Sequence, residues 1–133
     1  MTEKLQIEDL PITDRFMRQK RLIQERGELA LIEDGLCFQH LGYFSLKQGR
    51  GYYRGGHYHE NRVEHFYIVS GKLRVQLVDL ESGKRSDVML HEGQRVSIYP
   101  RCAHRFMAEE EAQVIEYYDS SYDPDDDLPY NDF

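Results

Sequence analysis

The feature that most limits the fold of this chain is a series of short β-prone runs between Glu28 and Tyr118. Gly, Asp and Asn, which favour turns, separate the runs, and Ser82-Gly83 is expected to form a hairpin turn. Apolar and polar side chains alternate most clearly over residues 72–79, with the period of a half-buried strand. Many short strands joined by turns predict an all-β antiparallel sandwich or barrel. Candidate strands lie at 28–33, 36–47, 52–59, 63–69, 72–79, 86–90, 95–99, 104–107 and 112–118.

The segment before these runs has a different pattern. We interpret residues 12–25 as a short polar helix that begins at Thr13 or Asp14 and ends at Gly27, because capping residues and a glycine stand at those places. The alternative is an irregular arm over the domain surface. The apolar side chains of this segment are Ile12, Phe16, Met17, Leu22 and Ile23. The expected organisation is therefore an N-terminal arm or helix at 1–27, a β-domain at 28–118 and an acidic, aromatic tail at 119–133.

Charge is concentrated towards the C-terminus. The chain has 17 Lys and Arg against 24 Asp and Glu, which gives a net charge of −7. Residues 118–133 contain six of the aspartates and no Lys or Arg, so the rest of the chain is nearly neutral. This balance argues against binding to nucleic acids or anionic membranes, which attract basic proteins. The N-terminal residues lack the basic-then-apolar pattern of a secretory signal, so we expect a cytoplasmic protein.

Residues able to carry chemistry concentrate in one stretch. His57 and His59 are two positions apart, so in a strand both side chains point to the same face. Glu64 falls among the core positions of the next run, where a carboxylate is costly unless it is paired or bound to a cation. Another histidine, His104, opens a later run. Three imidazoles and one carboxylate suit a divalent metal such as Mn, Fe, Ni, Cu or Zn, and a six-coordinate ion would keep two positions open.

The segment 51–71 resembles the first signature motif of the cupin superfamily. That motif is Gly, five residues, His-x-His, three or four residues, Glu, six residues and Gly. Every position is met, by Gly51, His57, His59, Glu64 and Gly71.

The second cupin motif is matched less well by residues 93–108. Gly93, Pro100 and His104 are present, but the spacings differ, the inner glycine is absent and Ala108 replaces the final asparagine. Together the motifs cover roughly residues 28–118. The resemblance implies a small antiparallel β-barrel of the jelly-roll kind that holds one divalent metal ion, Mn, Fe, Ni or Zn, through His57, His59, Glu64 and His104.

A narrower resemblance connects the chain with sugar-nucleotide cupins. Their Arg-Gly-Leu-like opening and Arg-Gly-x-His-x-His segment are similar to residues 26–29 and 54–59, with Phe38 and Tyr43 between them. These cupins include ketoisomerases and epimerases that act on 4-keto-6-deoxyhexoses in polysaccharide pathways. The ketoisomerases typically work without a metal, whereas this chain keeps all four metal positions. The resemblance implies an enzyme that isomerises or epimerises a carbonyl-containing nucleotide sugar.

Such a reaction moves a proton next to a carbonyl, which requires a base and a group that stabilises the enediolate oxygen. A metal-bound histidine is a poor base, so other side chains must move the proton. The candidates are Tyr53, Tyr67, Tyr99 and Tyr117, each with the alternative role of a barrel residue whose hydroxyl lies at the rim. Arg26 or Arg54 would hold a phosphate of the substrate.

Two other functions stay open at this point. The same ligands with Fe(II) would suit a dioxygenase, in which Cys102 could be a further ligand or a redox thiol. The alternative role of Cys102, which we favour, is that of a small buried residue beside Pro100. The third possible function is that of a non-enzymatic cupin that binds a small ligand as a sensor. His65 and His91 are less favoured as ligands, because His65 faces away from Glu64 and His91 lies in an expected turn. His40 lies near a strand and has no partner that the sequence identifies. Because short antiparallel barrels leave strand edges that benefit from cover, we expect a homodimer.

Overall fold

The computed structural model describes residues 2–133, and nearly all of its regular structure is β. One 3₁₀ turn, Pro124–Asp126, precedes the last strand. The strands in chain order are β1 (Leu5–Asp9), β2 (Lys20–Gln24), β3 (Gly27–Leu31), β4 (His40–Leu46), β5 (Arg54–Tyr58), β6 (Glu64–Asp79), β7 (Arg85–His91), β8 (Gln94–Ile98), β9 (Cys102–Tyr118) and β10 (Leu128–Pro129).

Two long strands, β6 and β9, organise the main sheet because each belongs to two halves of it. In the first half, the start of β6 pairs with β8 and with the end of β9, and β1 and β4 flank them. In the second half, the end of β6 pairs with β7 and with the start of β9, and β5 and β10 follow. All of these pairings are antiparallel, as the sequence predicted.

The two halves meet at a bend in β6 and β9. The register of the two strands shifts three times between Ile68 and Leu73. Gly71 lies in this bend with φ +88°, and a Cβ at this position would collide with the carbonyl oxygen of Glu111. Glycine is required here both by the left-handed backbone and by the close approach of β9. The bend folds the sheet over on itself.

The core lies between the two folded halves. Leu73, Val75 and Leu77 of β6 are fully buried, which confirms the alternation seen in the sequence. Each such side chain contributes about 1.5–3 kcal/mol when it leaves water. One apolar cluster joins both halves, with contributions from β1, β4, β6, β7, β8 and β9.

The barrel predicted from the sequence is not closed. The pairing order is β1-β8-β6-β9-β5-β10, with β4 attached to β9 and β7 to β6, and the end strands β1 and β10 are not paired with each other. The reason is the bend at residues 68–73, which folds the sheet in two rather than curling it evenly. The all-β prediction is correct, and the structure within 2–133 is an open, folded antiparallel sheet.

The predicted helix at 12–25 is wrong. Residues 20–24 form β2, which pairs with β3 in a separate two-stranded sheet. Gly27, with φ +135°, follows the hairpin turn rather than a helix end. Phe16 is 95% exposed and Ile12 61% exposed, so the apolar residues of this segment do not form a stripe that a helix could bury. Among the residues that the structure describes, none forms a helix long and apolar enough to cross a membrane.

Candidate active site

The four residues singled out as a cluster come together at one end of the folded sheet. His57 lies in β5 directly opposite His104 of β9, His59 follows β5, and Glu64 is the first residue of β6. The strand before His57 contains an irregularity at Gly55. Gly55 has φ +90°, and a Cβ there would be 2.8 Å from the carbonyl oxygen of His104. The glycine therefore lets β5 approach β9 closely enough to bring the two histidines together.

The side chains of the cluster converge on one carboxylate oxygen. Glu64 Oε1 lies 2.8 Å from His59 Nε2, 3.1 Å from His104 Nε2 and 3.9 Å from His57 Nε2. All four candidate ligand atoms lie within 4.8 Å of one another. Glu64, His59 and His104 are buried, and His57 is partly buried. Donor atoms at this spacing, one from each side chain, could surround a single small cation.

Each histidine is oriented by a partner on its other ring nitrogen. His104 Nδ1 lies 3.0 Å from the carbonyl oxygen of Cys102, and His59 Nδ1 is hydrogen-bonded to the carbonyl oxygen of Asp126. His57 Nδ1 lies 2.8 Å from the carboxylate of Asp127. These acceptors favour a proton on Nδ1, which leaves the Nε2 lone pair directed at the centre of the cluster. The arrangement is the one that metal-binding histidines adopt.

The C-terminal tail supplies two of these partners. Besides its carbonyl oxygen, Asp126 uses its carboxylate to accept hydrogen bonds from the backbone N–H groups of Glu60, Asn61 and Arg62, at 2.6, 3.2 and 3.1 Å. Strand β10 pairs with β5 next to His57. The tail is therefore docked on the site, and it holds the loop that joins β5 to β6.

Burial and mutual charge set the protonation of the cluster. Burial raises the pKa of Glu64, but the adjacent imidazoles of His104 and His59 outweigh it and hold the pKa well below its usual range. Burial, and then the charge of His104, lower the pKa of His57 to about 4, so this imidazole is neutral near pH 7. Burial lowers the pKa of His59, but the hydrogen bond and charge of Glu64 outweigh it, and the net shift is upwards.

His104 Nε2 is buried and lacks a hydrogen bond of acceptable geometry, although Glu64 Oε1 is 3.1 Å away. A buried nitrogen without a partner is costly. A divalent cation would satisfy it, and would replace any proton held between His59 and Glu64. Together with the ionised Glu64 and the neutral His57, this donor set fits a borderline metal ion.

A cavity of about 410 Å³ opens in front of the cluster. Its walls combine aromatic rings, two arginines and a second pair of ionisable side chains. Besides His57, Glu64 and His104 of the cluster, it is lined by His40, Gly42, Tyr43, Phe44, Arg54, Gly55, Arg62, Phe66, Phe106, Glu116, Tyr118, Tyr122 and Asp127. The volume is that of a small-molecule site.

Of the two arginines expected to hold a phosphate, Arg54 lines this cavity. Arg26 instead lies in the turn between β2 and β3, where its Nε donates to Gln24. Arg62, which the sequence did not single out, is buried in the cavity wall, with Cζ 4.3 Å from the ring centre of Tyr118. Its Nη2 has no hydrogen-bond partner among the described residues. One predicted arginine and one unpredicted arginine therefore face the cavity.

The four candidate tyrosines lie outside the cavity. Tyr67 lies on the opposite face of β6 from Glu64, because alternate residues of a strand face opposite sides. Tyr117 stacks on His65 on that same outer face, and its hydroxyl donates to Glu33. Tyr99 donates to Gln6. The alternation that separates His65 from Glu64 would also have placed Tyr67 away from the cluster.

Tyr53, the remaining candidate, packs beside Gly56 and lies 5.4 Å below the guanidinium of Arg105. Cys102 contributes its backbone carbonyl to the site, but its thiol belongs to the apolar core. Burial, and then the charge of Asp79, raise the pKa of that thiol to about 11, so it is protonated near neutral pH. Neither side chain is placed to act on a molecule in the cavity.

Comparison with known proteins now identifies the family. The family model described as "Polysaccharide biosynthesis C-terminal domain" matches residues 24–128. No curated protein sequence matches this chain.

Solved structures with similar folds include sugar 3,4-ketoisomerases and epimerases. A sugar 3,4-ketoisomerase from Thermoanaerobacterium thermosaccharolyticum in complex with TDP is 16% identical, with a TM-score of 0.78 over 100% of this chain and 93% of that one. A 3′-monoepimerase from Streptomyces bikiniensis is 15% identical, with a TM-score of 0.77 over 98% of this chain and 71% of that one.

A dTDP-4-dehydrorhamnose 3,5-epimerase from Sulfolobus tokodaii is 20% identical, with a TM-score of 0.70 over 95% of this chain and 81% of that one. These likenesses establish the fold and confirm the predicted cupin resemblance. The chain belongs to the family of polysaccharide biosynthesis C-terminal domains and has the cupin fold.

Proposed function

We propose that this protein is a metal-dependent isomerase or epimerase that acts on a carbonyl-containing nucleotide sugar. The observation that carries the proposal is the convergence of four donor atoms beside a 410 Å³ cavity that three of the four residues line. The family match to polysaccharide biosynthesis supports a sugar substrate. Solved structures of the same fold hold TDP or TDP-linked sugars, which supports a nucleotide sugar in particular.

His57, His59, Glu64 and His104 would hold one divalent ion, Mn, Fe, Ni or Zn. When bound, such an ion supplies Lewis acidity that polarises a carbonyl oxygen. The chain's own part is to keep the donors in place. The carbonyl oxygens of Cys102 and Asp126 fix two of the rings, the carboxylate of Asp127 fixes the third, and Glu64 remains ionised.

The cavity walls suit the other parts of a nucleotide sugar. Arg54, an exposed cation at the cavity, can bind a phosphate, and Phe44 and Tyr43 offer aromatic surfaces for a sugar or a base. Arg62 is 7% exposed and has one unpartnered N–H group, which can donate to a sugar oxygen. The ring stacked against its guanidinium holds that donor in a fixed direction.

Hydrogen exchange in D₂O distinguishes this proposal from the two alternative functions, a dioxygenase and a ligand sensor. The protein, loaded in turn with Mn, Fe, Ni and Zn, is incubated with TDP-4-keto-6-deoxyglucose, and deuterium incorporation and dissolved oxygen are followed together. We expect deuterium at the carbon next to the carbonyl without oxygen uptake. Oxygen uptake only with Fe would support the dioxygenase. A rise in thermal stability with neither reaction would support the sensor.

A matched pair of variants ties the exchange to the cluster. His57→Ala removes a donor atom that faces Glu64, whereas His91→Ala removes an exposed histidine at the end of β7. We expect exchange to be lost in the first variant and kept in the second. Equal exchange in both variants would contradict the role given to the cluster.

A further inference from the structure

The cavity contains a second ionisable pair that is separate from the four donor residues. His40 of β4 and Glu116 of β9 both line it, and His40 Nε2 lies 3.3 Å from Glu116 Oε2. Both side chains are 28% exposed, so the pair is shielded from bulk water but open to a molecule in the cavity. An imidazole and a carboxylate in contact can hold one proton between them.

The pairing of β4 with β9 builds this arrangement. His40 lies opposite Tyr118, and Gly42 lies opposite Glu116. A Cβ on Gly42 would be 3.0 Å from Glu116 Cγ and 3.2 Å from His40 Nε2, so glycine leaves the space in which the two side chains meet. The His40 ring stacks on Tyr118 with centroids 4.1 Å apart and planes within 6°. The position of the pair is therefore fixed by packing.

The electrostatics of the cavity suit the pair to proton exchange. Burial, and then the negative charge of Glu64, raise the pKa of Glu116, while His40 opposes the rise. A carboxylate whose pKa is raised is a stronger base than an ordinary glutamate. The three histidines of the cluster cannot act as this base when their Nε2 lone pairs bind a metal ion at the centre of the cluster. The other charged side chains that line the same cavity are Arg54, Arg62, Glu64 and Asp127.

We propose that Glu116 and His40 form the catalytic pair that moves the substrate proton, an inference that rests on the function proposed above. The carboxylate oxygen of Glu116 not engaged with His40 takes the proton from the carbon next to the substrate carbonyl. The electrons of the broken C–H bond form a carbon–carbon double bond, and the carbonyl π electrons move to oxygen. The pair then returns the proton to the former carbonyl carbon, while the hydroxyl proton of the first carbon moves to the enolate oxygen, so that the carbonyl shifts by one carbon. Proton and electron counts are unchanged, so no oxidant or reductant is needed.

Glu116→Gln and His40→Gln test this pair with metal-loaded protein and TDP-4-keto-6-deoxyglucose in D₂O. We expect Glu116→Gln to lower kcat for exchange about 100-fold or more, with KM and metal content unchanged. We expect His40→Gln to lower it about tenfold or more. Formate added to Glu116→Ala should restore part of the exchange, which a merely structural role would not allow. His91→Gln is the matched control, because His91 makes a similar contact with Asp9 outside the cavity.

The outcomes separate this inference from the proposed function. If the wild type exchanges deuterium and both variants do so at the wild-type rate, the catalytic pair is refuted and the proposed function stands. If Glu116→Gln does not fold, His40→Gln decides, since a wild-type rate in that variant also refutes the pair. If the metal-loaded wild type exchanges no deuterium, the proposed function fails and the catalytic pair fails with it.

Discussion

At the scale of single residues, the site depends on hydrogen-bond acceptors that orient its three histidines through their Nδ1 atoms. Asp127 is the one such acceptor that belongs to a side chain, 2.8 Å from His57 Nδ1. Backbone carbonyls fix the other two rings, and substitution does not remove them. The contribution of these acceptors to metal binding can therefore be measured most cleanly by substitution of Asp127.

Replacing Asp127 with Ala should weaken metal binding about 10- to 100-fold, because His57 loses the partner that orients it. Asp127→Asn should weaken binding less, since the amide oxygen can still accept from Nδ1. Competition with a coloured chelator, using Mn and Zn in turn, measures the affinity. Asp125→Asn is the control, because Asp125 is an exposed carboxylate of the same tail. Wild-type affinity in Asp127→Ala would show that this contact does not support the metal site.

At the scale of elements, the bend in β6 and β9 is the feature on which the fold depends. Gly71→Ala would place a methyl group against the carbonyl oxygen of Glu111 and impose a positive φ on alanine. Gly83, with φ +77°, has open space around it, so Gly83→Ala introduces backbone strain but no steric collision. That strain is about 1–3 kcal/mol. We expect Gly71→Ala to lower the free energy of unfolding by more than Gly83→Ala in urea denaturation. Equal losses would mean that the bend tolerates a side chain.

A second element-scale prediction concerns the end of β6, where Asp79 connects the N-terminal segment to the turn before β7. Its carboxylate accepts from Thr2 Oγ1 and Lys4 Nζ, both at 2.8 Å, and from the backbone N–H groups of Glu81 and Ser82. The hydrogen bond from Lys4 is the largest cause that holds the pKa of Asp79 well below its usual range, although burial opposes it. Folding therefore favours the ionised form of this side chain.

A depressed pKa stabilises the folded state above the pKa of the unfolded chain, which is about 3.9 for aspartate, and this stabilisation is lost as the pH falls. Asp79→Asn should lower the free energy of unfolding by about 1–3 kcal/mol at pH 7. The difference from wild type should shrink as the pH falls below about 4. Denaturation at a series of pH values measures this. A difference that stays constant down to pH 2 would contradict the assignment.

At the scale of the whole molecule, several apolar side chains are unusually exposed, among them Phe16 at 95% and Leu41 at 65%. A groove of about 550 Å³ lies between the segment that carries Phe16 and the outer face of β4 and β9. Free edges and exposed apolar surface favour association. We propose that the protein is a homodimer that covers this surface.

Light scattering after size exclusion should give the mass of two chains for the wild type. Phe16→Asp should shift the protein towards a monomer at little cost in stability, because this side chain is almost fully exposed. Met89→Asp, at an exposed position on β7, is the control and should remain dimeric. A wild-type mass of one chain at all concentrations would rule out the dimer.

The parts of the structure that were predicted correctly are those that depend on local periodicity. The two-residue period placed His57 and His59 near each other, and it put Glu64 on the inner face of β6. The N-terminal helix failed because tertiary contacts decide that segment: Arg21 lies 2.6 Å from Glu28 across the β2–β3 hairpin. Spacing that merely permits a helix does not specify one when the apolar side chains have nothing to pack against.

The parts of the site that were missed depend on pairing between distant segments. Asp127 reaches His57 only because β10 adds to β5, and Glu116 meets His40 only because β4 pairs with β9 in one register. A shift of that register by one residue would put His40 and Glu116 on opposite faces of the sheet. Sequence periodicity shows which face a residue can occupy, but it does not show which strand will lie opposite.

The most direct test of the central claim is the metal content of protein purified without a metal-affinity step. After incubation with Mn, Fe, Ni or Zn and removal of free ions, the wild type should retain about one divalent ion per chain. The triple variant His57→Ala, His59→Ala, His104→Ala should retain almost none, while His91→Ala should match the wild type. Fewer than about 0.1 ion per wild-type chain with every metal would contradict the account.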